Sequence, residues 1–442
     1  MKPIIKLGRY SIQLVGTLVL LACSMVPIIL FAEESSNQSV LAVEMAVAAA
    51  VQGNPGLAEM QYRYEAMAEI PSQVGTLPDP MLSLGAMNLP LDTFNRDQEA
   101  MTQMQIGFSQ IFPFPGKLGL REEVAEFEAQ AASFSVEEMR LKLTDQVVNK
   151  WWQVYYLDRA IDTIESNQLL LEQFIEIART KYETGTGLQQ DVLLAQLELS
   201  KLIDQEIQVT SLRRNQAIRL NVLMDRKPQS AILLPASVSN VMPAILAEDE
   251  LHRLAEVARP LLKNLEQKLA SANSRLDLAK RDYYPDFSVG VAYGNRAGRN
   301  APFVGGSRSD LLSIMVGIKI PLYSGRKQSR AVSQRTSEVQ RQQYGLLDER
   351  GRVMADISAA VTDYQRAQAQ LSLFENGIVP QAGQTVQSML AGYQVNEVDF
   401  LNLVRSQVTL FSYELQYWKA LTEARQALSW LEASVGEESI YE

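Results

Sequence analysis

The chain has 442 residues, a net charge of −10, one cysteine and one histidine. The acidic balance argues against nucleic-acid binding, the single cysteine excludes an internal disulfide framework, and the single histidine argues against a histidine metal site within one chain. Long stretches rich in Ala, Gln, Leu and Glu are typical of long helices.

The first 32 residues predict a secretory signal peptide. Three basic residues precede an apolar run over 14–31, and a polar segment follows Ala32. This order favours cleavage near Ala32. Two alternatives stay open. The run is long enough to remain as a membrane helix, and the Leu-Leu-Ala-Cys sequence that ends at Cys23 resembles a lipoprotein box, which would lipidate Cys23.

The segment 33–240 contains one complete structural unit, which begins with two helices and a strand pair. Helical patterns at 40–52 and 56–75 are separated by a Gly-Asn-Pro break. In the strand pair at 79–112, apolar residues alternate with small ones, which predicts strands with one apolar face and one face of small residues. Each strand is about the 9–11 residues with which a tilted strand crosses a bilayer.

A very long helical hairpin follows over 116–226, and a proline-containing linker begins at 227. The outgoing helix, 116–183, contains no proline and would reach on the order of 100 Å at 1.5 Å per residue. The tip is a glycine-bearing turn. Gly185 or Gly187 can take the left-handed conformation there, which ends one helix before the next begins.

The same order of elements returns in 241–442, shifted by 207 residues at the first strand and by 211 at the tip. The predicted helix, strand pair and long hairpin of this second repeat lie at 248–282, 285–321 and 325–435. Its outgoing helix is predicted as one uninterrupted segment over 326–394, and Asn396 occupies the tip position of Gly185. The chain is therefore predicted to be two tandem copies of one supersecondary unit.

Four strands of this kind need strands from other chains. They cannot close a barrel alone, and open strand edges are not tolerated in lipid. Single-sheet outer-membrane barrels begin at about eight strands, so two chains would supply eight and three would supply twelve. The same symmetry would bundle the long helices, which are not stable without burial.

The two repeats, the signal peptide and the tip pattern Tyr-x-x-Gly-x-x-x-x-x-Asp-Val-Leu at 182–193 together resemble the TolC family of outer-membrane efflux proteins. The resemblance extends over about 40–435. The Phe-Pro-Phe-Pro-Gly-Lys sequence at 112–117, together with Pro-Asp-Pro at 78–80, is most similar to the heavy-metal branch of the CusC and CzcC type.

This resemblance implies a mainly α-helical protein with transmembrane β-structure. The implied assembly is a homotrimer with a 12-stranded β-barrel in the outer membrane of a Gram-negative bacterium and an α-helical barrel that spans into the periplasm. The implied function is a passive efflux duct for metal ions or small toxic compounds, with no enzymatic activity and no cofactor. A periplasmic membrane-fusion adaptor and an inner-membrane pump of the RND type are the implied partners.

The resemblance also implies that the helical tips close the tunnel and contact the adaptor. The corresponding residues here are Tyr182, Gly185, Gly187, Asp191, Tyr393, Asn396, Asp399, Asn402 and Arg405. Some family members have gating aspartates at the positions of Asn402 and Arg405, so this chain departs from the pattern, and Asp399 lies close enough in sequence to substitute. Replacing Asp191 or Arg405 with alanine is predicted to raise single-channel conductance.

Four methionines lie in and beside the first strand pair, namely Met81, Met87, Met101 and Met104. Thioethers bind Cu(I), which makes these residues weak candidates for a metal site. Methionine serves more often as flexible packing.

Other functions have less support. Motifs for phosphate binding, zinc-dependent proteolysis and serine hydrolysis are absent from the sequence, so no catalytic residue is predicted. The competing hypothesis is a periplasmic coiled-coil scaffold or adaptor without a pore. It would account for the hairpins but not for the alternating strands.

Overall fold

The computed structural model describes residues 40–437 and 440–441, so the signal peptide predicted at 1–32 and the predictions for Ala32 and Cys23 lie outside the described residues. In chain order, the elements are α1 (Val43–Gly53), α2 (Pro55–Ala68), α3 (Ile70–Gly75), β1 (Met81–Met87), β2 (Gln103–Phe112), α4 (Lys117–Glu183), α5 (Gln189–Leu223), α6 (Glu248–Ala258), α7 (Pro260–Arg281), β3 (Asp286–Asn295), β4 (Leu311–Lys319), α8 (Gln328–Leu373), a π-helical turn (Phe374–Ile378), α9 (Val379–Gln394) and α10 (Phe400–Val435). A strand pair followed by a long helical hairpin thus occurs twice.

Prolines divide two helices that the sequence analysis predicts as continuous. The helix predicted at 56–75 is α2 followed by α3, which has Pro71 in its first turn. The helix predicted at 248–282 is α6 followed by α7, which begins at Pro260. Proline lacks an N–H donor and its ring clashes with the preceding turn, so a new helix begins at or just before it.

The prediction of one uninterrupted helix over 326–394 is also wrong. This stretch contains Pro380, and the π-helical turn between α8 and α9 ends just before it. Because proline leaves a carbonyl of the preceding turn without its usual donor, a wider turn is accommodated there. In contrast, α4 continues unbroken for 67 residues, about 100 Å at 1.5 Å per residue.

The four strands form one antiparallel sheet in the order β1-β2-β3-β4. Because β2 and β3 come from different repeats, their pairing joins the two strand pairs. Phe108 on β2 lies opposite Leu82 on β1 and Val291 on β3, and Val291 in turn lies opposite Ile314 on β4. The outer strands β1 and β4 each have a free edge in the described chain.

Aromatic residues form the centre of the main helical core, between α1, α4 and α10. The Trp151 side chain is 1% exposed, and its ring stacks on that of Tyr155 with centroids 5.6 Å apart. Its Nε1 donates a hydrogen bond to the Leu41 carbonyl at 2.9 Å, which satisfies the one polar atom that the ring buries. A separate core near the hairpin tips contains Phe174 and Phe400. Packing therefore continues along the long hairpins.

Among the described residues, no helix combines the length and the apolar character needed to cross a bilayer.

Candidate functional site

The sheet presents one face of large apolar side chains. Strand alternation and the register place fourteen of them on the same face: Leu82, Leu84, Met104, Ile106, Phe108, Phe112, Phe287, Val289, Val291, Tyr293, Leu312, Ile314, Val316 and Ile318. All fourteen are exposed in the described chain. A contiguous apolar face of this size marks a surface that another apolar phase or another protein covers.

The opposite face carries mostly small and polar residues. A Cβ atom added at Gly107 would lie 2.7 Å from the Ser83 hydroxyl, and one added at Gly317 would lie 2.5 Å from the Ser288 hydroxyl. Larger side chains at these glycines would therefore clash with the neighbouring strand. This division between faces confirms the predicted alternation.

A buried lysine lies where the sheet meets the long helices. Lys117 begins α4, and its side chain is 4% exposed. Its Nζ lies 2.9 Å from Asp286 Oδ1, 3.3 Å from Asp282 Oδ1 and 3.1 Å from the Tyr284 carbonyl oxygen. The Phe114 ring stacks on Tyr284 with centroids 4.5 Å apart. These contacts fasten the β2–α4 turn to the α7–β3 turn.

This role of Lys117 is not predicted from the sequence. Two local features could have indicated a tight turn at this position. One is the Phe-Pro-Phe-Pro-Gly-Lys sequence, and the other is Gly116, which has a φ of +87° and permits the turn into α4. The partner Asp286 lies 169 residues away in the sequence.

The hairpin tips have the backbone conformation that the sequence predicts. Gly185 and Asn396 are left-handed, with φ angles of +73° and +67°. Gly187 is not left-handed, but a Cβ there would lie 2.8 Å from Lys181 Cβ, so this glycine permits a close approach instead. Tyr182 is about half exposed at the end of α4.

A lysine that the sequence analysis did not select joins the two hairpin tips. Lys181 Nζ donates to Asn396 Oδ1 at 2.6 Å and also to the Tyr393 carbonyl oxygen. The same ammonium group lies 4.4 Å from the centroid of the Tyr393 ring. Tyr393 is 5% exposed and packs against Phe400 with ring centroids 5.1 Å apart. Lys181 thus holds a residue of the second repeat by charge, hydrogen bonds and a ring contact.

Asp191 is brought to the same place, close to the hydroxyl of Tyr393. That hydroxyl is buried and makes no hydrogen bond of good geometry with the described residues. Desolvation and the nearby Asp191 carboxylate raise the pKa of Tyr393 to about 12. Burial also raises the pKa of Asp191. The Leu188 backbone, the nearby Tyr393 hydroxyl and the Lys181 ammonium group partly oppose this rise. Tyr393, Asn396 and Asp191 therefore form one cluster around Lys181, the tip cluster.

Asp399 and Asn402 belong to a helix cap rather than to the tip cluster. Asp399 Oδ1 accepts the Asn402 backbone N–H at 2.8 Å, and Asp399 Oδ2 accepts the Asn402 side-chain amide at 3.1 Å. Asp399 therefore starts α10 in the manner of an N-cap residue. Arg405 lies one turn further on, beside a surface groove lined by Gln381 and Met389. Within the part of the chain that the structure describes, the Arg405 side chain makes no ion pair.

Asp399→Ala is expected to destabilise the first turn of α10 by about 1 kcal/mol, because an N-cap carboxylate is lost. Amide hydrogen exchange at Asn402 should accelerate about fivefold, the factor that this free energy corresponds to. Asp399→Asn is the matched control, because asparagine also caps helices and should leave exchange nearly unchanged. Equal exchange in the alanine variant and the original chain would contradict the capping role.

The four methionines do not converge in one chain. Met81 and Met87 lie at opposite ends of β1, whereas Met104 points to the other face of the sheet, and Met101 precedes β2. All four side chains are exposed. Among the described residues, no three His, Cys, Asp or Glu side chains cluster as metal ligands would.

The outer membrane efflux protein family matches this chain over residues 46–225 and 251–437. The chain belongs to this family. The matched segments include both strand pairs and both long hairpins, and membership places the protein in the outer membrane of a Gram-negative bacterium.

A curated relative and several solved structures resemble this efflux protein. It is 25% identical to protein CyaE of Bordetella pertussis over 255 residues, which are 57% of this chain and 52% of CyaE. The chain thus spans about half the length of that relative. The outer membrane protein VceC of Vibrio cholerae superposes with a TM-score of 0.74 at 18% identity, over 89% of this chain and 96% of VceC.

The transmembrane channel protein CusC superposes with a TM-score of 0.75 at 15% identity, over 89% of this chain and 92% of CusC. At these identities the structural matches establish the fold. They confirm a mainly helical protein with a helical barrel region and a β-domain.

Proposed function

We propose that this protein is the outer-membrane channel of a tripartite efflux system, a passive exit duct from the periplasm to the exterior. The observation that carries this proposal is a sheet with one largely apolar face, joined directly to two hairpins on the order of 100 Å long. A lipid-facing surface and a periplasmic extension are thereby parts of one chain. A duct needs no catalytic residue, because it lowers the barrier for solute only by providing a water-filled path.

The proposed assembly is a homotrimer with a shared 12-stranded barrel. The free edges of β1 and β4 would leave backbone N–H and C=O groups without partners in lipid, at a cost of several kcal/mol for each group. Three copies joined edge to edge remove every such edge. The apolar face then lies outward, and the face with Gly107 and Gly317 lies inward.

The tip cluster is proposed as the resting closure of the tunnel. Lys181 ties the end of α4 to the end of α9, so the two hairpins of one chain are held together. Opening would separate them, and contact with a periplasmic adaptor is proposed to compensate for the lost contacts. Arg405 and the groove beside it are proposed to lie on the adaptor-contacting surface.

The substrate proposal is a metal ion or a small toxic compound, with an RND-type inner-membrane pump as the third component. The heavy-metal branch is supported by the Phe-Pro-Phe-Pro-Gly-Lys turn that places Lys117. Because the methionines lie apart, any metal selectivity is assigned to the pump and adaptor rather than to this chain.

The proposal is tested by the mass of the detergent-extracted protein and by its conductance. Light scattering with the detergent contribution subtracted should give a trimer, and the trimer should conduct ions in a planar bilayer. The competing proposal, a periplasmic coiled-coil scaffold, expects a protein that carbonate washes from membranes and that remains soluble without detergent. That result would remove the channel proposal.

A further inference from the structure

The contact between Lys117 and Asp286 joins the two repeats at the base of the sheet. Lys117 follows β2 of the first repeat, and Asp286 is the first residue of β3 in the second. The contact therefore accompanies the β2–β3 pairing. An equivalent contact is expected wherever an equivalent pairing of strands occurs.

The strand registers identify the equivalent residues. Ser83 lies opposite Gly107 on β2, and Gly290 lies opposite Met315 on β4. The step from β1 to β3 is thus 207 residues, and the step from β2 to β4 is 208. At the turns, Gly325-Arg326 stands where the first repeat has Gly116-Lys117, and Asp79 in Pro78-Asp79-Pro80 stands where the second repeat has Asp286.

The two equivalent residues lack side-chain partners among the described residues of their own chain. Asp79 precedes β1 and Arg326 follows β4, so they lie at opposite edges of the sheet. Both are exposed, and among the described residues neither side chain forms a hydrogen bond or an ion pair. Their charges are opposite, and their positions repeat those of the Lys117–Asp286 pair within the chain, of which the lysine is buried.

In the proposed trimer, β1 of one copy lies beside β4 of the next. We propose that Arg326 binds Asp79 of the partner subunit at the base of this seam, and that the seam has the register of the β2–β3 pairing. This inference rests on the trimer of the proposed function and specifies how its subunits join. Transferring the β2–β3 register to the seam places Val316 opposite Leu84 of the partner subunit. Ile318 then lies opposite Leu82 of the partner subunit.

This register keeps each face of the sheet uniform across the seam. Val316 and Leu84 belong to the exposed apolar face, so their pairing continues that face from one chain to the next. A shift by one residue would place apolar side chains on the small-residue face instead. On that face, Gly317 comes opposite Ser83 of the partner subunit, which repeats the glycine–serine contacts within the chain.

Disulfide formation tests the register. In a Val316→Cys, Leu84→Cys double variant, mild oxidation of the detergent-extracted protein should link the subunits covalently. The control is Val316→Cys with Ala86→Cys, which moves the second cysteine two positions to a diagonal neighbour. The matched pair should link at least about fivefold more than the control, because diagonal positions exceed disulfide range. Each single-cysteine variant measures the background of covalent linking that does not depend on the designed pair.

Charge exchange tests the ion pair. Arg326→Asp and Asp79→Arg should each lower the temperature at which the trimer dissociates in detergent by several degrees. The double variant D79R/R326D should recover at least half of that loss. Lys327→Asp is the matched control, since Lys327 is also exposed and the charge change is the same. The ion-pair assignment would be overturned if Lys327→Asp lowered the dissociation temperature as much as Arg326→Asp does. It would also be overturned if the double variant recovered none of the lost dissociation temperature.

These results separate this proposal from the proposed function. A trimer that conducts ions, but in which the Val316 and Leu84 cysteines do not link and charge exchange gives no recovery, would contradict only the seam. A protein that is not trimeric by light scattering would contradict the proposed function itself.

Discussion

Replacing Lys181 with alanine is expected to raise the open probability of single channels in a planar bilayer. The alanine variant loses two charge-assisted hydrogen bonds and the ammonium contact with the Tyr393 ring. For half-exposed groups these contacts together contribute about 1–3 kcal/mol, which shifts the closed–open equilibrium roughly 5- to 150-fold. Asp191→Ala should raise the open probability less than Lys181→Ala does, because it removes a neighbour of Tyr393 and leaves the contacts of Lys181 in place.

Lys201→Ala is the control for this prediction. Lys201 is an exposed lysine of α5 that pairs with Glu198 on its own helix, so its removal changes the net charge equally without touching the tip cluster. Arg405→Ala is expected to change conductance less than Lys181→Ala, since Arg405 has no ion pair within the described residues. If Lys181→Ala and Lys201→Ala gave the same open probability, the tip cluster would not be the closure.

Trp151→Ala is expected to reduce the free energy of unfolding by about 3–5 kcal/mol, the usual cost of deleting a fully buried aromatic side chain. The Trp151 ring contacts Trp152 and Tyr155 of its own helix, and its Nε1 donates a hydrogen bond to the Leu41 carbonyl, which precedes α1. Alanine would leave a cavity and a buried carbonyl without its donor.

Denaturant titration in detergent, followed by circular dichroism, measures this loss. Trp151→Phe keeps the stacking but removes the N–H donor, so its expected loss is about 1 kcal/mol. This milder variant keeps the prediction testable if the alanine variant does not fold. An alanine variant within about 1 kcal/mol of the original chain would show that Trp151 is not the centre of this core.

Local chemistry accounts for the predictions that the structure confirms. The alternation of apolar and small residues predicts the strands, since successive side chains of a strand point to opposite faces. The left-handed conformations of Gly185 and Asn396 follow from residue type, because both residues tolerate positive φ. The errors were local too: Pro71, Pro260 and Pro380 each mark a break that the continuous helical predictions passed over.

The contacts of the candidate site could not be predicted in this way. Lys181 immediately precedes the tip pattern at 182–193, but no local sequence feature shows which residues its ammonium group contacts. Its role depends on Tyr393, whose carbonyl oxygen is 212 residues away in the sequence. The four methionines show the converse: they lie close in sequence, but Met104 lies on the opposite face of the sheet from Met81 and Met87.

The sequence by itself determined the repeat, the uninterrupted length of α4, the strand faces and the tip turns, because each depends on residues within a few positions of one another. Only the tertiary structure decided that β2 pairs with β3, that Lys117 is buried against Asp286 and that Lys181 holds Tyr393. Each of these joins one repeat to the other. The physical reason is that packing brings distant segments together, and the energy of such a contact does not depend on their separation along the chain.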